Sequence, residues 1–166
     1  MPENIVRATA GYGSRPTLPG WRELSAAFRG VAGHQPGEHL VLRWAHAFAH
    51  LHRMRIIDPA RQSRVDTRRG ELRTLIDNWV VVHIQPRQPW SRTTGYGQAV
   101  DDMAAAHVAA ELVLVAEHTA DELHRAWSHV GYLATRWADL VTEAVDGQRT
   151  IPRRSLLRDF IPETPK

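Results

Sequence analysis

The 166-residue chain contains no cysteine. Disulfides, thiolate metal sites and a cysteine nucleophile are therefore excluded. Lysine is nearly absent too, with Lys166 standing alone beside 20 arginines. No apolar run approaches the ~20 residues that span a bilayer. The opening stretch MPENIVRATAGYG lacks the apolar core of a signal peptide. A cytoplasmic protein with no membrane contact is the expectation. A Walker sequence, Gly-x-Ser-x-Gly and HExxH are all missing, so those routes to phosphate binding or hydrolysis have no support. Charge of one sign is missing as well: 21 Lys and Arg face 18 Asp and Glu, for a net +3. Acids interleaved with the arginines disfavour nucleic acid as a partner. The arginine bias, with much alanine, fits GC-rich coding. What remains is 43% hydrophobic and 23% charged, an ordinary folded composition whose length fits one domain.

Apolar residues recur at helical spacing in five stretches. Trp21, Leu24, Phe28 and Val31 predict a short helix near 19–31. Val41, Trp44, Phe48 and Leu51 predict a second over about 37–56. Asp58–Pro59 reads as an N-cap followed by proline in the first turn. It opens a third helix over 59–84 that buries Val65, Leu72, Ile76, Trp79 and Val80. A fourth, over 97–117, turns Ala99, Met103, Ala106, Ala110 and Val113 inward. Thr119 and Glu122 have capping-box spacing. They start a fifth helix over 120–146, with Leu123, Trp127, Val130, Ala134, Trp137 and Val141 inward and Gly147 as its stop. The expected fold is an all-α, single-domain antiparallel bundle of about five helices. Residues 1–18 form an arm, 19–150 the bundle and 151–166 a tail that packs on it or trails from it.

Polar residues on these stripes supply the candidate chemistry. His52 and Arg55 fall within about 80° of Trp44 and Phe48, counting ~100° per residue. His46 and His50 project roughly opposite, toward solvent, and an HxxxH pair alone is weak evidence of metal. On the third helix Asp66, Arg69, Arg73 and Asp77 form one edge stripe whose spacings allow intrahelical ion pairs. A salt-bridged ladder is the simpler reading. The alternative is an arginine fork reaching an anion between helices. The 85–97 stretch is a long connection, a lid or a plain crossover. Within it Thr93, Thr94 and the glycines precede the fourth helix, where free N–H groups can hold an anion or simply be capped. His107, Glu111, His118 and Glu122 would align only if the fourth and fifth helices were continuous. The positions three after the two glutamates are Leu114 and Arg125. No di-metal motif results, and neither a metal nor a cofactor is expected.

The ordered pieces LHRMR, RVDTRRGELRTLIDNWV, TTGYGQAVDDMAAAH, ADELHRAW and GQRTIPRR, spread over residues 40–154, resemble domain-of-unknown-function family 4254. The resemblance implies a bacterial, all-helical protein and no established reaction. The recurrent polar positions of its pattern fall on His52, Arg55, Arg69, Asp77, Trp79, Gly97 and Asp101. Where relatives carry acidic residues after Leu-His, this chain has Arg53 and Met54. Where they carry Thr-Glu-Thr, it has Thr93-Thr94-Gly95.

Together these features point to a small anionic ligand, phosphate- or carboxylate-bearing, between the second, third and fourth helices. His52 would serve as acid/base or hydrogen-bond donor. Arg55 and Arg69 would hold the anion, with Arg73, Thr93 and Thr94 beside them, and Asp101 or Asp77 would orient an arginine. The rival is an adaptor acting through a homodimer or protein partner. It draws on six tryptophans, of which Trp21 and Trp90 are the interface candidates and Trp44, Trp79, Trp127 and Trp137 belong to the core.

Overall fold

The computed structural model describes residues 16–86 and 95–149. Among them are five α-helices and no strand: α1 (Trp21–Phe28), α2 (Leu40–Ile57), α3 (Gln62–His83), α4 (Tyr96–Val115) and α5 (Ala120–Arg149). The expected all-α bundle is what forms.

Its turns follow from local chemistry. Asp58 ends α2, and its Oδ1 accepts from the Ala60 N–H at 3.2 Å. Pro59 then starts a single 3₁₀ turn that leads into α3. The chain reverses there, so Trp79 late in α3 meets His39 just before α2, with ring centroids 4.9 Å apart. At the next reversal, Asp77 late in α3 holds the Gly97 N–H early in α4. Thr119 and Glu122 close the last one as a reciprocal box. Glu122 accepts from the Thr119 N–H at 2.9 Å, and the Thr119 hydroxyl accepts from the Glu122 N–H at 3.2 Å. Tyr96 then meets Trp137, and His107 meets Trp127, as antiparallel partners on α4 and α5.

The apolar stripe of α3 is buried as expected: Val65, Leu72, Ile76, Trp79 and Val80. Leu24, Phe28, Val41, Phe48 and Trp137 close the core around it. Each such side chain contributes about 1.5–3 kcal/mol over leaving it in water. A single inward stripe does not describe α4. It packs on α1, α2, α3 and α5 and buries Gly97, Val100, Asp101, Met103, Ala104, Ala106, His107, Val108 and Ala110. A helix packed on four partners buries residues well beyond one stripe, polar ones included.

Other departures have local causes. The first helix stops at Phe28, and Gly30 turns the chain at φ +78°, which leaves Val31 exposed rather than on the stripe. Trp21 at its start is also exposed. Leu18, expected in the arm, is buried, and the Pro19 carbonyl accepts from Trp137 Nε1 at 2.9 Å. His46 is half-buried rather than solvent-facing, and its Nδ1–H donates to the Ala27 carbonyl at 3.3 Å. The last helix runs through Gly147 to Arg149. A helical glycine costs only about 1 kcal/mol against alanine, too little to stop a helix by itself.

Gly97 fixes how closely α3 and α4 approach: a Cβ there would lie 2.3 Å from the Arg73 carbonyl oxygen. Gly131 on α5 has nothing within 4 Å of the same position. Gly97→Ala should therefore destabilise the bundle by about 2 kcal/mol or more. Gly131→Ala should stabilise it by roughly 0.5–1 kcal/mol. Urea unfolding of both variants checks the pair; equal effects would contradict the close approach.

Candidate functional site

The polar seam centres on Asp101, whose side chain is wholly buried (0% exposed). It lies on α4 between α2 and α3. His52 of α2 reaches it with Nε2 2.7 Å from Oδ1. Arg69 of α3 grips it through both oxygens, Nε to Oδ1 at 3.0 Å and one terminal nitrogen to Oδ2 at 2.9 Å. The other terminal nitrogen of Arg69 donates to Asp66 Oδ1 at 2.8 Å. Arg73, one turn on, stands with Nε 3.6 Å from Asp101 Oδ2. It donates instead to Gln98, whose amide donates to Asp102 at 2.7 Å.

Burial alone would raise the pKa of Asp101. Hydrogen bonds from His52 and Arg69, with the charge of Arg69, outweigh it and hold the carboxyl below its ordinary range. Burial likewise works against charge on Arg69, but its bonds to Asp101 and Asp66 raise its affinity for the proton. The carboxylate is thus ionised and can only accept, so His52 donates from Nε2–H. In the neutral ring Nδ1 then carries the lone pair, and nothing among the described residues bonds to it. His52 keeps a sliver of exposure, 7%. Chemically this is a dyad: a buried acid fixes the tautomer of an imidazole whose other nitrogen has no partner among the described residues.

Asp77 does something else. Its Oδ1 accepts from the Gly97 N–H at 2.9 Å, and the Tyr96 N–H adds a second bond, so a side chain of α3 caps α4. Burial pushes this carboxyl up, against the pull of those N–H groups and of Arg73. A Cβ on Gly95 would lie 2.8 Å from Asp77 Oδ2. The helix end proposed for an outside anion is filled from within by a carboxylate.

The structure thus brings His52, Asp101, Arg69 and Arg73 together and sets Asp77 one turn away as a cap. Arg55 is exposed and makes no side-chain hydrogen bond among the described residues. Thr93 and Thr94, and Trp90, lie outside the described residues, as does most of the 85–97 connection. The ladder on α3 exists in part, as Asp66–Arg69. Gln98 and Asp102 were missed, though their spacing of four on a helix is a legible pairing signal. Among the described residues no group of three or more His, Asp or Glu is placed to hold a metal. No family model matches the chain, and no curated protein or solved structure matches it either.

Removing one partner of a buried ion pair leaves the other uncompensated, at about 3–5 kcal/mol. Asp101→Asn should cost that much. Asp66→Asn, on a partner 44% exposed, should cost about 1 kcal/mol or less. The folded-state pKa of Asp101 is depressed, so its contribution is complete above about 4 and is lost as pH falls further, toward the folded value. Urea unfolding between pH 7 and pH 3 should show a larger acid loss in the parent than in Asp101→Asn, where only other carboxylates such as Glu38 and Glu122 contribute.

Proposed function

We propose that the mouth of this seam binds a small anionic molecule, phosphate- or carboxylate-bearing, with His52 as its acid/base group. The observation that carries the reading is an imbalance at one carboxylate. His52, Arg69 and Arg73 converge on Asp101, and only Arg69 is engaged through a full two-point grip. Arg73 spends its hydrogen bond on a neutral amide, keeps only a longer 3.6 Å approach to Asp101, and remains one-third exposed. Its planar fork keeps N–H groups for a ligand. Arg55 follows His52 by three positions on the same helical face, and its guanidinium makes no hydrogen bond among the described residues.

In this reading Asp101 and Arg69 are the rigid base and Arg73, Arg55 and His52 meet the ligand. The Nδ1 edge of His52 would add a further hydrogen-bonding group. A ligand with a transferable proton could exchange it at Nδ1, since Asp101 holds the ring by Nε2. The chemical class follows from the donors; the reaction, if any, depends on the ligand. The order of the quoted sequence pieces supports placing the chain with domain-of-unknown-function family 4254, and that assignment is part of the proposal.

The adaptor reading draws on exposed apolar side chains: Leu75 and Val82 seven apart on α3, and Trp21 on α1. Thermal shift against inorganic phosphate, pyrophosphate, nucleotides and di- and tricarboxylates separates the two. At least one anion should raise the parent's Tm in a dose-dependent way, and Arg73→Ala should remove most of that rise with helix content unchanged. A flat response across the panel would contradict anion binding and favour the adaptor.

A further inference from the structure

A second histidine, His107, is buried by α4 and takes no part in the Asp101 cluster. It is 2% exposed. Phe28 of α1 packs on it with ring centroids 5.6 Å apart, and Trp127 of α5 meets it edge-on at 5.8 Å. Its Nε2 makes no well-formed hydrogen bond among the described residues. Its nearest acceptor is Glu111 Oε1, an ion-pair approach of 3.2 Å. The other oxygen of Glu111 accepts from Arg53 at 2.7 Å, and the same Arg53 nitrogen donates to the Phe28 carbonyl at 2.7 Å. The charged groups that face the ring are Glu111 from α4 itself, Arg53 from α2 and Arg29 from the end of α1. What α5 brings against it is the indole of Trp127.

An unpartnered buried nitrogen is a standing cost that an apolar side chain of the same size would avoid. The ring lies beside the first turns of α5, where residues 120–125 are exposed except Leu123, which is half-buried. We propose that His107 is a pH-sensitive latch, holding the first half of α5 against α4 through Trp127 when neutral and releasing it when protonated. A proton would put a charge into a slot closed to water, beside two arginines, answered only by a glutamate already bridged to one of them.

The sign follows. Burial leads in pushing the His107 pKa down, the two arginines add to it, and Glu111 opposes in part. With α5 lifted, the ring meets water and titrates near its ordinary ~6.5. The closed state therefore binds fewer protons than the open one. Docking is complete above about 6.5 and weakens as pH falls from there toward the depressed closed-state value, by up to about tenfold per pH unit.

Hydrogen exchange of residues 117–133, corrected for intrinsic rates and referenced to α2, tests this between pH 7.5 and 5. In the parent, opening of that segment should rise by up to about tenfold per pH unit below about 6.5. In His107→Leu the corrected rate should stay flat. If that variant does not fold, His107→Gln takes its place. An imidazole titration of the parent by NMR gives an independent readout, with a His107 midpoint below ~6.5 and the Trp127 indole moving with it. The same acid-dependent opening in parent and variant would overturn the latch. So would a His107 midpoint at or above ~6.5 with Trp127 unmoved.

Discussion

A carboxylate taken wholly out of water must be met by cations at bonding distance, or it will not stay charged. That constraint organises this bundle. Asp101 is the buried carboxylate, and satisfying both of its oxygens requires one residue from α2 and one from α3 at fixed heights along α4. His52 and Arg69 are those residues. Apolar contacts can slide by a turn at small cost, but a two-point arginine grip cannot. Asp77 acts in the same direction. By capping α4 it ties the end of α3 to the start of its neighbour, and Gly97 permits the close approach this needs.

Such a cluster is a poor source of net stability. Desolvation of Asp101 and Arg69 offsets most of their attraction, and a well-packed apolar set of the same volume could be as stable. Its contribution is specificity of register, with the core supplying the stabilisation. The cluster also leaves polar groups that it does not use fully. Once Asp101 has fixed one nitrogen of His52 and absorbed Arg69, the other imidazole nitrogen and the Arg73 fork are pre-positioned without partners of equal strength. The anion-binding proposal rests on that remainder, and on no single residue type.

Helices and turns were legible in the sequence because they are set locally. The stripe Val65, Leu72, Ile76, Trp79 and Val80 repeats at the helical period, Asp58–Pro59 and Thr119–Glu122 carry their own capping chemistry, and all three are present as read. The fourth helix was legible only in part. A stripe can be chosen for a helix that faces one neighbour, but α4 faces four, so Asp101 and His107 are buried although they lie off the chosen stripe. A second series of small residues, Gly97, Ala104 and Val108 with Asp101 among them, was the available sign of the other buried face. The stripe on α3 named the right arginines. It could not say that the strongest partner of Arg69 stands 32 positions away on another helix, because nothing local encodes that contact. Arg55 shows the converse: angular proximity to Phe48 placed it at the border of the buried face, and near its end α2 leaves it exposed.

The central claim is that Asp101 and Arg69 act as a unit that fixes α3 against α4. A double-mutant cycle measures it directly, with Asp101→Ala, Arg69→Ala and the double variant unfolded in urea at neutral pH. Each single change removes the two-point partner of the opposite buried charge, leaving Arg69 with Asp66 alone and Asp101 with His52 and the longer approach of Arg73. The double change removes both charges. The account predicts that the double variant is less destabilised than the sum of the singles by about 2 kcal/mol or more. Additivity within about 0.5 kcal/mol would mean that the two residues are independent and would contradict it.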